Sequence, residues 1–227
     1  MPAPHWIHSA ATRWACTGVA LAAAACAPLS PKPAKTSEAP PVAAACPPAL
    51  AALARCLAGQ DSAGAYYLIA MPHQWNGHLV LHAHGGPALG APRPERSAAD
   101  LERWAIMVKA GYAWAGSTFR QGGVEVRAAA EDTERLRQIF VGHVAQPRRT
   151  ILHGQSWGAS VAARGAEMFT STTQGQRPYD AVLLTSGVLA GGSRSYDFRT
   201  DLRVVYQYLC NNHPRPTEAQ YPLNIGL

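Results

Sequence analysis

Arg148-Arg149-Thr150-Ile151-Leu152-His153-Gly154-Gln155-Ser156-Trp157-Gly158-Ala159-Ser160 is the stretch that decides how this chain folds. A short apolar strand runs into Gly-x-Ser-x-Gly, and a helix of small residues follows. The five-residue pattern alone is common by chance. Set between a strand and a helix, it describes a nucleophile elbow. Ser156 then occupies a strained turn, with its hydroxyl lifted above the sheet edge. Gly154 and Gly158 carry no Cβ, so strand and helix can close around that turn. The amino end of the helix adds partial positive charge where an oxyanion would form.

Upstream of the elbow, Ala65–Ala70 reads as a strand stopped by Met71-Pro72. His78–His84 reads as the next strand and ends in Gly85-Gly86-Pro87. Glu95–Ala110 has helical periodicity, with Leu101, Trp104, Ala105 and Val108 on one face. Lys109 and Gly111 are its stop signals. Tyr112–Ala115 is a short strand leading into Gly116-Ser117-Thr118, and Val126–Val144 is helical. Downstream, Ala159–Phe169 is the helix after the serine, and Ala181–Ser186 reads as a buried-type strand. Asp201–Leu209 reads as a short helix capped by Thr200. Strands alternating with helices imply an α/β fold: a mostly parallel sheet with helices on both faces. Ligands of such sheets bind beyond the carboxyl ends of the strands, where the Gly-Gly-Pro loop and the elbow both lie.

His84-Gly85-Gly86-Pro87 after a strand resembles the oxyanion loop of the α/β-hydrolases. Taken with Gly154-Gln155-Ser156-Trp157-Gly158, it is most similar to the proline iminopeptidase branch, although Ala88 stands where that branch has glycine. The resemblance covers Tyr66 to Gly192 in element order. It implies Ser156 as nucleophile, and oxyanion donors from the backbone N–H of Trp157 and of Gly86 or Gly85. The substrate would be a small ester or a short peptide, cleaved without a cofactor or metal.

The family order is serine, then an acid, then histidine. His213 is the one histidine downstream of Ser156, and Asp197 and Asp201 are the nearby acids. Two completions stand open. These residues form the triad, or the last sheet strands with acid and base are missing and residues 191–227 begin a cap. The second makes the chain a truncated, impaired hydrolase or an inert, ligand-binding fragment. Upstream, His82, His84 and His153 are read as structural histidines rather than a zinc set, with His84 shaping the oxyanion loop.

Of the 20 basic residues 17 are arginine, and they are scattered, the longest run being Arg148-Arg149. The formal charge of +6 is thus a solvated surface rather than the basic stripe that nucleic-acid binding requires. With 227 residues, 48% of them hydrophobic, the chain suffices for one domain with a sizeable core. Residues 1–26 read as an export signal: Arg13 precedes the apolar run Trp14–Ala25, which is shorter than the ~20 residues of a membrane span. Ala23-Ala24-Ala25-Cys26 is similar to a bacterial lipobox, with Cys26 as the lipidated residue and a possible membrane tether. Cleavage without lipid is the alternative. Residues 27–48 are a Pro-rich linker to a partial hydrolase domain over 49–227. Cys46 and Cys56 flank a short helical segment, Ala49–Arg55, and are disulfide partners for an exported protein. Cys210 has no mate.

Overall fold

The computed structural model describes residues 36–86, 88–123, 125–173 and 175–211. The expected signal segment, Cys26 and His213 lie outside the described residues. Seven strands are found among those described: β1 Val42–Ala44, β2 Ala54–Gln60, β3 Tyr66–Pro72, β4 His78–Ala83, β5 Ala113–Ser117, β6 Arg149–Gln155 and β7 Ala181–Thr185. The helices are α1 Glu95–Arg103, α2 Ala105–Lys109, α3 Val126–Ile139, α4 Trp157–Met168 and α5 Gly192–Cys210.

One sheet contains all seven strands in the order β1-β2-β3-β5-β4-β6-β7. β1, β2, β3 and β5 pair antiparallel in succession. From β5 through β4 and β6 to β7 every contact is parallel. Five strands therefore share one direction, and only β1 and β3 oppose it. This is the mostly parallel α/β sheet that the alternating pattern predicts.

β4 lies at the centre, and both of its faces are covered. Leu79 and Leu81 alternate onto one face and pack with Leu136, Ile139 and Phe140 from the α3 segment and Ala162 of α4. Val80 alternates onto the other face and packs with Leu101, Ala105 and Val108 of α1 and α2 and with Trp114 of β5. A strand buried on both sides reads as a nearly continuous apolar run, which is why this half of the sheet was legible without period-two alternation.

Several boundaries differ from the sequence reading. Residues 27–48 do not serve as linker throughout. Val42–Ala44 forms β1 against β2, and Glu38 is buried, its carboxylate accepting from the Ser62 N–H at 2.8 Å. Helix is replaced over Ala49–Arg55 by a single 3₁₀ turn, Pro48–Leu50, and then β2. That strand ends in Ala-Gly-Gln and carries no β-branched residue, so propensity gave no sign of it. Cys46 and Cys56 are bonded, tying the β1 end to β2. The Glu95–Ala110 helix breaks at Trp104, whose φ of −104° and ψ of 18° separate α1 from α2. The Val126–Val144 helix finishes in a π-helical turn, Phe140–Val144.

The largest departures are at the far side. β7 is not buried: Val182 is 42% and Leu183 48% exposed. It is the edge of the sheet among the described residues. The short helix expected over Asp201–Leu209 is the second half of the longer α5. Thr200 is no cap, and its hydroxyl instead bonds back to the Tyr196 carbonyl at 3.0 Å. Phe198, Leu202, Val205 and Leu209 of α5 are all exposed.

Candidate active site

β6 ends at Gln155, and α4 begins at Trp157. Ser156 makes the whole turn between them, at φ 55° and ψ −121°. Such a backbone costs an L-residue of order 1–3 kcal/mol and persists only where its surroundings dictate it. The surroundings here are backbone. The Ser156 N–H donates to the Thr185 carbonyl of β7 at 2.9 Å. Its carbonyl accepts from Ala159 at 3.1 Å and from Val188 at 3.3 Å. Ser160 adds a hydroxyl bond to the Val188 carbonyl at 2.5 Å.

The two glycines have distinct tasks. A Cβ on Gly154 would overlap the Gly158 carbonyl, and one on Gly158 would overlap the Ala83 carbonyl at the end of β4. Gly154 thus lets the helix turn back onto its own strand, while Gly158 lets that helix cross the neighbouring strand. Ala83 pairs in register with Gly154, so β4 and β6 end side by side.

That register brings the two motif loops together. A Cβ on Gly85 would stand 2.8 Å from the Gln155 carbonyl oxygen and 3.5 Å from Ser156 Cβ. Gly86 follows at φ 72°, and a Cβ there would meet nothing within 4 Å. Its peptide borders open space beside the serine. As the first residue of α4, Trp157 has no acceptor within its own helix for its N–H. Ser156 itself is half-buried, and its hydroxyl bonds to no group among the described residues. Ser156, Trp157, Gly85 and Gly86 therefore surround one spot at the carboxyl ends of β4 and β6.

An aromatic wall stands beside it. His84 is buried and stacks on Phe119 with ring centroids 4.4 Å apart. Trp157 meets Phe119 edge-on at 6.0 Å and lies 6.2 Å from His84. Phe119 is the residue that sequence reasoning missed. It follows β5 at φ 61°, and its N–H is held by the Ser117 hydroxyl at 3.1 Å. Ser117 and Thr118 thus spend their hydroxyls on backbone, as ordinary strand-end groups do. Arg120 pins the same loop by donating to buried Asp132 from its N–H and from Nε, both at 2.7 Å. No sequence signal marks a phenylalanine for positive φ.

Behind the loop lies a buried, polar layer under α1. His82 and His153 face each other in register, with their Nδ1 atoms 2.9 Å apart. Burial drives both down, His82 well below its ordinary value and His153 to about 4. Both rings are neutral, so one donates and the other accepts. His84 is also lowered to about 4, by burial and then by the Arg96 cation. Burial raises the Asp100 carboxyl to about 6 against the pull of Arg96 and Arg103. Among the described residues no three metal-ligating side chains converge.

Among the described residues no acid and base are assembled beside Ser156. Asp197 and Asp201 are exposed on α5, form no hydrogen bond or ion pair among the described residues, and are not brought to Ser156. His213 lies outside the described residues.

No family model matches the chain, and no curated protein matches it. Solved structures with similar backbones are esterases. An esterase of the bacterial hormone-sensitive lipase family is 19% identical with a TM-score of 0.45, over 59% of this chain and 44% of that one. Esterase B from Lactobacillus rhamnosis, inhibited by a tributyrin phosphonate, is 16% identical with a TM-score of 0.42, over 54% and 43%. A thermostable carboxyl esterase from Bacillus coagulans is 19% identical with a TM-score of 0.39, over 58% and 44%. This chain spans less than half the length of each. At these scores the likeness adds nothing to what strand order shows: a mostly parallel α/β sheet through β7, with no later strand among the described residues. None of them singles out the proline iminopeptidase branch.

Proposed function

We propose that this chain carries the nucleophile and oxyanion half of a serine hydrolase that cleaves small carboxylic esters. Ser156 Oγ attacks the ester carbonyl carbon, and the carbonyl π pair moves onto oxygen. The N–H groups of Trp157 and Gly86 receive that oxyanion, each worth ~3 kcal/mol at the transition state. Collapse expels the alcohol and leaves acyl-Ser156, which water hydrolyses. The proton of Ser156 needs a base, and the described residues bring none to it. The described groups alone therefore make an impaired catalyst, with the residual rate that loop and binding supply. The observation that carries this reading is Ser156 at φ 55° against the Gly85 loop and the α4 amino end. Ester is favoured over peptide because no acidic side chain among the described residues contacts Ser156 to hold a substrate amine.

The test is covalent labelling of purified chain with a fluorophosphonate, alongside p-nitrophenyl butyrate turnover. Labelling that Ser156→Ala abolishes supports the proposal. Folded chain that never labels sinks it and leaves the inert, ligand-binding fragment as the better account. We also propose export with lipid attachment at Cys26, for which the Cys46–Cys56 disulfide argues, since such bonds persist in oxidising compartments. Incorporation of labelled palmitate in growing bacteria, lost in Cys26→Ala, checks it.

A further inference from the structure

We infer that Arg96 is the positioning residue of the oxyanion loop, fixing the direction of the Gly86 N–H by gripping the carbonyl of Gly85. The inference rests on the proposed role of that loop, but its geometry stands independently. Arg96 Nη2 donates to the Gly85 carbonyl oxygen at 2.7 Å. The same nitrogen lies 3.4 Å from His84 Nδ1, which can only accept from a guanidinium. Asp100, one helical turn on, stands 3.9 Å from Arg96 Nε and holds the side chain over the loop.

The C=O of Gly85 and the N–H of Gly86 belong to one planar trans peptide and point in opposite directions. A guanidinium that fixes the carbonyl toward α1 therefore turns the Gly86 N–H away from α1. Ser156 adjoins this loop, a Cβ on Gly85 standing 3.5 Å from Ser156 Cβ. Gly85 and Gly86 have no side chains to hold this plane, and Gly86 already sits at φ 72°. Left to itself a Gly-Gly peptide rotates readily. The neutral, buried His84 ring stacks on Phe119 and closes the other side, so the strand end cannot swing to replace the arginine. Lysine at position 96 would keep the charge but lose the rigid guanidinium plane that sets Nη2 on the Gly85 carbonyl while Nε faces Asp100.

The experiment has two arms. In ¹⁵N-labelled chain, Arg96→Ala should shift or broaden the Gly85 and Gly86 amide signals while those of β6 and α4 stay in place. In parallel, the rate of fluorophosphonate labelling at Ser156 should fall roughly ten- to a hundred-fold, short of the 10²–10³ that loss of a donor costs outright. Millimolar guanidinium should restore part of the rate in Arg96→Ala, and Arg96→Lys should recover less than that. An unmoved Gly86 amide in Arg96→Ala overturns the inference, as does an unchanged labelling rate. If wild-type chain is not labelled, the proposed hydrolysis fails, and the amide arm still decides what Arg96 does.

Discussion

Replacing Ser156 with glycine should stabilise the chain relative to replacing it with alanine, the reverse of the ordinary order. Ser156 sits at φ 55° and ψ −121°, where a Cβ is strained. Its hydroxyl bonds to nothing among the described residues, so Ser156→Ala removes no hydrogen bond and keeps the strain. Ser156→Gly releases strain of about 1–3 kcal/mol. Against this, glycine gives the unfolded chain more freedom, which costs about 0.4–1 kcal/mol. The balance leaves the glycine variant more stable than the alanine variant by roughly 0.5–2 kcal/mol. Urea unfolding followed by tryptophan fluorescence measures it, with the slope required to be equal in the two variants. A glycine variant less stable than the alanine variant by about 1 kcal/mol, the order found at unstrained sites, would refute the strained elbow. Because the comparison is of folding, it needs no catalytic activity.

Gly158→Ala puts a methyl group into the Ala83 carbonyl, which backbone must move to admit. It should cost more than about 3 kcal/mol in urea or prevent folding, and an ordinary urea midpoint would contradict the strand–helix contact. Opening the ten-residue Cys46–Cys56 link by Cys46→Ala with Cys56→Ala should cost roughly 2–3 kcal/mol, read as a drop in Tm that reductant reproduces in the wild-type chain. Asp100→Asn should stabilise the chain above pH 7, because a carboxyl raised from 3.8 to about 6 bears a penalty of roughly 3 kcal/mol when ionised. The gain should fade between pH 6 and 4 and vanish below, since the native carboxyl is protonated there; a gain that grows on acidification would be the wrong sign. His84 and His153 act oppositely. Held near 4, they favour the fold above pH 6.5 and lose that contribution as pH falls toward 4, so wild-type stability should drop across this window.

What the sequence disclosed and what it hid divide along physical lines. β4 was readable because a strand buried on both faces becomes a nearly continuous apolar run, and β6 because it runs into the elbow motif. The elbow was readable because its two glycines answer to backbone overlap, which no other residue tolerates. β1 and β2 were hidden. β1 is the edge strand and β2 its antiparallel neighbour; in β2 Arg55 and Gln60 face solvent, and between the two the Pro47-Pro48 pair mimics a linker. β7 was recognised as a strand but not placed, because Val182 and Leu183 have the composition of a core without its burial. At the site, Ser156, Trp157 and the Gly-Gly loop followed from motif and order. Phe119 and Arg96 did not, since one owes its place to a positive φ and the other to a carbonyl eleven residues away.

The half of the site that is built and the half that is not have a single structural origin. Every group around Ser156 is set by strands to one side of it. β4 delivers Gly85 and Gly86, β5 delivers Phe119, and α1 delivers Arg96. On the other side β7 and the turn after it support the serine, through the Thr185 carbonyl and the Val188 N–H, and beyond β7 the sheet edge is bare among the described residues. A base and acid reaching Ser156 would have to come from that side, because the β4 side is filled by backbone and buried rings. The apolar side chains exposed on β7 lie on that same side. The Gly85-Gly86 loop and the Ser156 turn can thus be built while no described residue takes the serine proton. Nucleophile geometry and base supply should accordingly be separable by experiment: the elbow strain and the Gly86 amide should be present in this chain even if turnover is not.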